Sequence, residues 1–297
     1  MPGKRGEVHV WLHDYGTLFS VPEFMVDGVR VTYHVYGTGP VCIAHPGGPG
    51  VHWPYLRMPE LEQHLTMVYV EPAGTGNSDL LADGDYSMER YASFVAELAR
   101  HLGDDPVFLL GHSHGGFVAL QAELDHPEVL RGVIVYDSMA YNGPELGAQA
   151  FKNLEAYVAA RPAGDPIAAQ VLAAWQEQPV GRDAEVGALR RLLPVYFMDF
   201  EAIDPRIGEW KQTLDLTVDP NRQDTLWDIR GRLGEIAVPT LVIVGTADFI
   251  CPENSARELA DGIPGAELVV LEESGHFGHV EEPYAFRDAV LRFISQH

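Results

Sequence analysis

The sequence predicts an α/β fold in which a mostly parallel, doubly wound sheet carries an inserted helical cap. Apolar runs of four residues recur along the chain without alternation, as expected of strands that are covered on both faces. Helical patterns separate most of these runs, and strands that alternate with helices are typical of a parallel sheet. The runs are Val41–Ala44, Met67–Val70, Val107–Leu110, Val133–Tyr136, Leu241–Val244 and Leu268–Leu271.

Two other segments show their own patterns. Gly28 marks a turn between a segment that ends near Val26 and an alternating run over 29–33, so antiparallel strands are predicted there. Over 87–102, apolar residues recur at the i, i+3, i+4 and i+7 spacing of an amphipathic helix. Ser87 begins this segment and is a suitable N-cap.

One segment breaks the alternation, because no strong strand pattern occurs between Tyr136 and Leu241. Its pattern is mostly helical and is punctuated by prolines. Since the sheet resumes afterwards, we expect a helical cap inserted at 140–222, with 1–139 and 223–297 forming the core, rather than a second independent domain. Ligands bind at the carboxyl edge of the strands in open α/β folds, so a cap there would exclude water and shape a pocket.

Composition argues against several function classes. The 297 residues carry a formal net charge of −23 at pH 7, which disfavours nucleic acid and anionic membrane surfaces as partners. No run of about 18 apolar residues that could span a membrane occurs in the sequence, and Met1–Tyr15 lacks the apolar core of a secretory signal. The two cysteines, Cys42 and Cys251, fit no metal-ligand spacing and favour a reducing cytoplasm. No pattern in the sequence indicates a metal, a cofactor or a particular oligomeric state.

The stretch Gly111–Gly116 carries the strongest functional signal. Ser113 lies between glycines two places before and two places after it, which is the Gly-x-Ser-x-Gly pattern of a nucleophile elbow. A strand must reverse into a helix here within about two residues, so the serine is forced toward a strained positive φ and its hydroxyl is lifted out of the sheet. Because a strand pattern precedes it and a helix pattern follows it, we predict that Ser113 is a nucleophile.

A serine hydroxyl is a weak nucleophile near neutral pH and needs a base. In this type of fold the acid and then the histidine follow the serine along the chain. Asp248 follows the run that ends at Val244, and His276 follows the run that ends at Leu271. We predict that His276 takes the proton of Ser113 and that Asp248 orients the imidazole.

Other residues compete for these roles. Asp137 also follows a strand directly and could be the acid, while His279 lies close enough to His276 in sequence to be confused with it. A glycine directly before His276 favours a tight loop that presents its ring, so His276 is preferred. His112 and His114 flank the nucleophile, but neighbours at an elbow point away from its hydroxyl, which favours a structural role for both side chains.

Acyl transfer also requires hydrogen-bond donors for the oxyanion. The elbow supplies one donor, the backbone N–H of His114. The second is predicted at Gly48, in the glycine- and proline-rich loop His45–Gly50 that follows the first buried run. Glycines let this backbone turn its N–H groups toward a substrate, and Pro49 fixes the loop without removing the Gly48 donor.

These residues together resemble the α/β-hydrolase superfamily and, within it, the proline iminopeptidase-like serine peptidases. The resemblance covers roughly 25–140 and 225–295, and it implies the α/β-hydrolase fold and a Ser-His-Asp triad. The motifs that carry it are Gly47–Gly50, Gly111–Gly115, Gly245–Pro252, Ser274–Phe277 and Glu281–Pro283.

The sequence departs from the family's pattern in two loops. The family's His-Gly-Gly-Pro-Gly begins with histidine where this chain has Pro46, and the histidine stands one place upstream at His45. The family's Asp-Gln-Arg-Gly-x-Gly-x-Ser loop corresponds to Glu71–Ser78 here, which lacks the arginine. In the aminopeptidases of the family, cap glutamates hold the free amine of the substrate. The acidic cap residues that could do so here are Glu177, Asp199 and Glu201.

Three functions fit this sequence. The first is a serine hydrolase of the iminopeptidase or aminopeptidase type that acts on small peptides or amides. The second is an esterase, lactonase or thioesterase that acts on a small metabolite, since both reactions pass through a tetrahedral oxyanion. The third is a non-catalytic binding protein on the same fold. Aspartate-nucleophile relatives place an acid at the centre of the elbow, so Ser113 excludes their chemistry.

Overall fold

The computed structural model of the protein describes residues 21–223 and 225–297, so the Met1–Tyr15 stretch lies outside the described residues. The strands are β1 (Glu23–Val26), β2 (Val29–Tyr36), β3 (Val41–His45), β4 (Thr66–Glu71), β5 (Val107–His112), β6 (Leu130–Tyr136), β7 (Thr240–Gly245) and β8 (Glu267–Leu271). The helices are α1 (Pro59–Glu62), α2 (Met88–Leu102), α3 (His114–Asp125), α4 (Pro144–Ala160), α5 (Pro166–Gln176), α6 (Arg182–Tyr196), α7 (Phe200–Ile203), α8 (Gly208–Thr213), α9 (Glu253–Gly262), α10 (Gly278–Glu281) and α11 (Pro283–Gln296). Among the described residues, no helix is both long enough and apolar enough to cross a membrane.

The strands form one sheet with the order β1-β2-β4-β3-β5-β6-β7-β8. β2 pairs with β1 and with β4 in antiparallel registers, and the remaining pairs are parallel. Asp27 and Gly28 connect β1 to β2 with φ angles of 49° and 82°, in the left-handed region that a two-residue hairpin turn requires. These features confirm the predicted α/β class and its mostly parallel sheet.

The central strands explain why the sequence shows apolar runs instead of alternation. Val133 and Val135 of β6 pack into one apolar cluster, whereas Ile134 and Tyr136 pack into another on the opposite face. Every residue of β4, β5 and β7 is buried. Strands that are covered on both faces must be apolar at consecutive positions, and the predicted runs therefore coincide with strands.

Helices α2 and α3 cover one face of this sheet. Ser87 caps α2 as the sequence predicts, and its hydroxyl oxygen accepts a hydrogen bond from the backbone N–H of Arg90 at 3.4 Å. Helix α3 contacts both α2 and the central strands, and most of its residues are buried as a result. Because α3 begins directly after β5, its first turn lies at the carboxyl edge of the sheet.

Helices α4 to α8 lie between β6 and β7 in the chain. This order agrees with the helical pattern of the 140–222 segment, which is called the cap here and whose separation from the core at these boundaries stays a prediction. A small apolar cluster joins the cap to the core, since Leu154 and Val195 pack with Phe249, which follows β7. The cap is therefore attached at the carboxyl edge of the sheet, beside Asp248.

Helix α3 buries a glutamate, Glu123, beside the start of β7. Its Oε1 accepts a hydrogen bond from the hydroxyl of Thr240 at 2.7 Å, and no group in the described residues bonds its Oε2. Burial raises the pKa of Glu123 from 4.5 to about 8. The fold therefore favours the neutral form. The stability contributed by this group is fully present below a pH of 4.5 and is lost as the pH rises through about 8.

We predict that Glu123→Gln, which mimics the neutral acid, removes this loss of stability. Urea unfolding near pH 5 should give similar free energies for the two proteins, whereas near pH 8.5 the variant should be more stable by on the order of 1–4 kcal/mol. The control Glu89→Gln changes an exposed glutamate of α2 and should leave the pH dependence unchanged. The same pH dependence in wild type and Glu123→Gln would contradict a buried neutral side chain.

Candidate active site

The turn from β5 into α3 holds Ser113 in a strained conformation. Its φ and ψ are 54° and −118°, outside the regions that L-residues normally occupy. A Cβ on Gly111 would lie 2.1 Å from the carbonyl oxygen of Gly115, so the two segments can approach only because residue 111 is glycine. The N–H of Ser113 donates to the carbonyl of Tyr136 at 2.9 Å, which fixes the elbow to the end of β6.

His276 and Asp248 form a direct pair at the same edge of the sheet. His276 Nδ1 lies 2.7 Å from Asp248 Oδ2, and both side chains are buried. The other carboxylate oxygen accepts hydrogen bonds from the N–H groups of Ile250 and Cys251 at 2.9 and 3.0 Å. Three donors thus fix the orientation of the carboxylate, and Nδ1 carries the hydrogen of the pair. Nε2 of His276 is left to accept a proton, and His276 lines the same cavity as Ser113.

The loop that carries His276 is fastened to the cap through main-chain groups. The N–H of His276 donates to the carbonyl of Tyr196 at 2.7 Å. The carboxylate of Glu281 accepts the N–H of Gly275 with one oxygen and the N–H of Met198 with the other, each at 2.7 Å. Burial raises the pKa of Glu281 to about 7. The cap therefore takes part in positioning the histidine.

The loop after β3 offers one candidate donor for an oxyanion. The N–H of Gly47 donates to the hydroxyl of Tyr55 at 2.6 Å and is thereby engaged. Gly48 follows with a φ of 133°, which glycine adopts without strain. In the described residues, neither the N–H of Gly48 nor that of His114 has a hydrogen-bond partner. Gly48 lines the cavity beside Ser113, and a donor role for both N–H groups stays a prediction.

The segment that returns from the cap, residues 215–217, pairs with the loop after β3. The N–H of Thr217 donates to the carbonyl of Gly50, and the N–H of His52 donates to the carbonyl of Asp215, each at 2.9 Å. The two segments form a short antiparallel bridge. The cap is thus bonded to the loop that carries Gly48 as well as to the loop that carries the histidine.

The Glu71–Ser78 loop, which departs from the family's pattern, closes around its own glutamate. The carboxylate of Glu71 accepts hydrogen bonds from the backbone N–H and the side-chain amide of Asn77, and it lies 2.6 Å from His34 Nε2. A Cβ on Gly76 would lie 2.1 Å from Glu71 Oε2, so this closure requires glycine there. The N–H of Gly76 also donates to Thr217 Oγ1 at 3.0 Å, which joins the loop to the returning cap segment.

A second buried carboxyl group, that of Asp137, lies near the His276–Asp248 pair. Its Oδ1 accepts the N–H of Gly245 at 2.9 Å, whereas its Oδ2 has no partner among the described residues. Burial, followed by the charge of Asp248, raises the pKa of Asp137 well above its ordinary value. A neutral Asp137 next to a carboxylate that already bonds the histidine favours Asp248 as the acid.

A cavity of about 470 Å³ opens between the elbow, the loop after β3 and the cap. Its walls are mostly apolar, and the acidic side chains among them are those of Glu177 and Glu185. The lining residues from the core are Gly47, Gly48, Pro49, Val51, Tyr55, His112, Ser113, His276 and Phe277. Those from the 140–222 segment are Ala174, Trp175, Glu177, Pro179, Glu185, Ala188, Leu189, Leu192, Tyr196, Leu214 and Leu216.

The three cap acids expected to bind substrate fall in different places. Glu177 lines the cavity, and its carboxylate forms an ion pair with Arg191. Asp199 caps the start of α7, and Glu201 is 66% exposed and pairs with Arg161 at 2.8 Å. Neither Asp199 nor Glu201 lines the cavity, because local helix capping and an ion pair engage their carboxylates elsewhere.

Glu185 lines the cavity although the sequence did not single it out. It stands on α6 at the i, i+3, i+4, i+7 spacing with Ala188, Leu189 and Leu192, which line the cavity too. No hydrogen-bond or ion-pair partner of its carboxylate is found among the described residues. An acid that begins an otherwise apolar helical stripe is the signal that could have identified it.

Two groups of buried side chains bring potential metal ligands close together. In the first, the ring nitrogens of His112 already bond the hydroxyl of Tyr55 and the carbonyl of His276. In the second, Asp248 and His276 bond each other, and burial raises the pKa of Cys251 well above its ordinary value. Neither donor set fits a resident metal. The groups, whose potential ligand atoms lie within 4.8 Å of one another, are His112 with Asp137 and His276, and Asp248 with Cys251 and His276.

Comparison with known proteins identifies the family. Residues 41–289 match the model of the alpha/beta hydrolase family. The chain belongs to this family. The 2-hydroxymuconate semialdehyde hydrolase of Pseudomonas sp. (strain CF600) is 25% identical to it over 292 residues, which cover 92% of this chain and 93% of the relative. The proline iminopeptidase of Saccharolobus solfataricus is 26% identical over 291 residues, which cover 91% of this chain and 90% of the relative.

A solved structure extends this comparison. Est816, described as an N-acyl homoserine lactone degrading enzyme, is 28% identical and superposes with a TM-score of 0.66 over 91% of this chain and 99% of its own. The three relatives are named as a semialdehyde hydrolase, a proline iminopeptidase and a lactone-degrading enzyme. This α/β hydrolase is accordingly an enzyme of the hydrolase class, and the relatives differ in the substrates for which they are named.

In this α/β hydrolase, we expect Ser113→Ala and His276→Ala each to lower kcat by about 10⁴-fold or more, because triad members act as a unit. The double variant should be no slower than the slower single variant. Initial rates on any hydrolysed substrate measure this, with circular dichroism as the control for folding. Losses that multiply in the double variant, or fluorophosphonate labelling that survives Ser113→Ala, would contradict the assignment.

The two buried acids provide a matched pair of variants. Asp248→Asn should lower kcat by about 10⁴-fold, because the amide no longer stabilises the imidazolium. Asp137→Asn resembles the neutral acid that the site already contains, and it should change kcat by less than about tenfold. The ratio of the two kcat values decides between the acids, and a larger loss for Asp137→Asn would reverse the assignment.

Proposed function

We propose that this α/β hydrolase is a serine hydrolase whose preferred substrate is a small amide or ester with a protonated amine on its acyl side, as in the substrates of aminopeptidases and iminopeptidases. The observation that carries the proposal is the carboxylate of Glu185, which has no partner among the described residues and lies in the cavity that also holds Ser113. A buried or half-buried carboxylate in an apolar cavity favours a cationic partner.

The first half of the proposed reaction forms an acyl-enzyme. His276 Nε2 takes the proton of the Ser113 hydroxyl as the serine oxygen attacks the carbonyl carbon of the substrate. The N–H groups of Gly48 and His114 stabilise the resulting oxyanion. The imidazolium, held by Asp248, then gives its proton to the departing amine or alcohol, and an ester on the serine remains.

Water completes the reaction in the second half. His276 takes a proton from a water molecule while the water oxygen adds to the acyl carbon, and the oxyanion forms again in the same place. The histidine then returns this proton to the Ser113 oxygen as the carbon–oxygen bond of the ester breaks. The products are a carboxylic acid and the free enzyme, so atoms and charges balance without a cofactor.

Charge in the cap supports a cationic acyl group. Arg191 pairs with Glu177, so Glu185 supplies the uncompensated negative charge among the cavity's acidic side chains. The net charge of −23 would also raise the local concentration of cationic substrates. A proline iminopeptidase is among the relatives, which fits an amine-bearing acyl group.

A second candidate is the hydrolysis of an uncharged ester or lactone. Most of the cavity wall is apolar, and Est816, at 28% identity, is named for degrading N-acyl homoserine lactones. The Glu71–Ser78 loop lacks the arginine of the iminopeptidases, which favours a substrate outside that group. The proposed Ser113 chemistry is the same for both candidates, so the substrate decides between them.

Glu185→Gln tests the substrate class. With proline anilide and other aminoacyl anilides, kcat/KM should fall about tenfold or more, because a charge-assisted hydrogen bond contributes ~1.5–3 kcal/mol. With an uncharged butyrate ester it should change little. The matched control Glu177→Gln should have the smaller effect, since Arg191 already neutralises that carboxylate. Turnover of esters or lactones without any turnover of aminoacyl anilides would support the second candidate and refute the first.

We also infer a cytoplasmic location and a small-molecule or short-peptide substrate, without nucleic-acid or membrane partners. Cys42 and Cys251 are both free and buried, which fits a reducing compartment. The acidic charge opposes polyanion binding. The names of the relatives indicate small substrates. Fractionation of the source cells would test the location, and recovery in a membrane or secreted fraction would contradict it.

A further inference from the structure

We propose that Tyr55 and His112 are positioning residues that couple the loop carrying Gly48 to the catalytic histidine through one chain of hydrogen bonds. This inference rests on the proposed serine chemistry, because it assigns the chain a role in holding the parts of that machinery. Tyr55 stands in the short 3₁₀ helix Trp53–Leu56, and His112 is the last residue of β5.

The chain of hydrogen bonds is continuous and passes through buried groups. The N–H of Gly47 lies 2.6 Å from the hydroxyl oxygen of Tyr55. That hydroxyl lies 2.7 Å from His112 Nδ1, and His112 Nε2 lies 2.9 Å from the carbonyl oxygen of His276. The side chains of Tyr55 and His112 are almost inaccessible, since the two residues are 2% and 1% exposed.

One arrangement of hydrogens satisfies every member of the chain. The N–H of Gly47 can only donate, so the Tyr55 oxygen accepts there and directs its own hydrogen to His112 Nδ1. The carbonyl of His276 can only accept, so His112 Nε2 carries the hydrogen that it receives. Burial, followed by the neighbouring histidines, lowers the pKa of His112 well below its ordinary value, and the neutral ring fits this single tautomer.

Tyr55, the second member of the hydrogen-bond chain, is itself held from two sides. The backbone carbonyl of Tyr55 accepts the indole N–H of Trp210 at 2.8 Å and lies 3.0 Å from His279 Nε2. Trp210 belongs to cap helix α8, whereas His279 stands directly after the loop of the catalytic histidine. His279 Nδ1 lies 3.0 Å from the hydroxyl of Tyr136, so the His279 ring is also fixed.

The positions of the chain's ends give it a role in the reaction. Gly47 precedes the predicted oxyanion donor, His112 precedes the nucleophile, and the chain ends on the carbonyl of His276. A displacement of any one segment would therefore misplace a donor, the serine or the base by a fraction of an ångström, which is enough to slow catalysis. The polar atoms of Tyr55 and His112 are engaged with each other and with backbone, so substrate binding should not depend on them.

The test removes single members of the chain. Tyr55→Phe keeps the ring and leaves two buried polar groups without a partner, so kcat should fall about 5- to 100-fold with KM changed less than about threefold. His112→Phe should give a similar loss. The double variant Tyr55→Phe/His112→Phe should be no slower than the slower single variant, because both break the same chain.

Tyr69→Phe is the matched control. Tyr69 is equally buried, and its hydroxyl also accepts a backbone N–H, from Met58 at 2.9 Å, and donates to a side chain, Glu62 at 3.1 Å. Its hydroxyl does not bond the catalytic loops. We expect Tyr69→Phe to lower the midpoint of thermal unfolding by an amount similar to Tyr55→Phe and to leave kcat unchanged. Equal effects of the two variants on kcat would overturn the proposal, because a loss of stability alone would then explain both.

A fluorophosphonate probe separates this proposal from the proposed function. Labelling of wild-type protein tests whether Ser113 is an activated nucleophile at all, and its absence refutes the proposed function. If the wild-type protein is labelled, slower labelling of correctly folded Tyr55→Phe supports the proposed hydrogen-bond chain, and an unchanged labelling rate refutes it. If one of the two single variants fails to fold, the labelling rate of the other decides. Losses in kcat that multiply in the double variant would also overturn a shared role.

Discussion

The close approach of Gly111 to Gly115 is the constraint on which the rest of the site depends. It lets β5 turn into α3 within one residue, and that residue, Ser113, takes the strained backbone conformation. The same turn fits against the loop after β3, since a Cβ on Gly115 would lie 2.3 Å from the carbonyl oxygen of His45. One steric requirement therefore brings the serine, the first N–H of α3 and the loop that carries Gly48 into a single small volume.

The cap completes what this constraint begins. Main-chain bonds from the cap hold the loop of His276 at one side, through Tyr196, and the loop of Gly50 at the other, through Thr217. The positions of His276, the proposed base, and of the predicted oxyanion donor therefore depend on the same segment that forms most of the cavity wall. The cavity wall and the loops that carry the proposed catalytic groups belong to one hydrogen-bonded assembly, so a movement of the cap would displace both.

The fold and the positions of the candidate catalytic side chains could be predicted from the sequence because their signals are local. Strands that are buried on both faces have continuous apolar runs in the sequence, and the elbow needs glycines at fixed distances from Ser113. Asp248 and His276 could be placed because each follows a strand whose end is known to lie at the same edge. In each case a short stretch of sequence determines the geometry.

The remaining features depend on packing between distant segments. The direction in which a cap helix presents its acids follows from its tertiary contacts, so Glu185 reaches the cavity while Glu201 faces solvent. The bond between Tyr55 and His112 joins residues 57 positions apart, and no spacing rule connects them. The sequence favoured a structural role for His112 over base catalysis, but it contained no information about which partners that histidine would meet.

The fastening of the His276 loop to Tyr196 and Met198 has a consequence for how such an enzyme can diversify. Both contacts use the peptide groups of the cap, a carbonyl and an N–H, and every amino acid except proline supplies both. Side chains along this part of the cap can therefore be exchanged to suit a new ligand while the peptide groups continue to hold the loop of His276. Because backbone groups hold the loop of His276, the side chains of the pocket can change without displacing that loop.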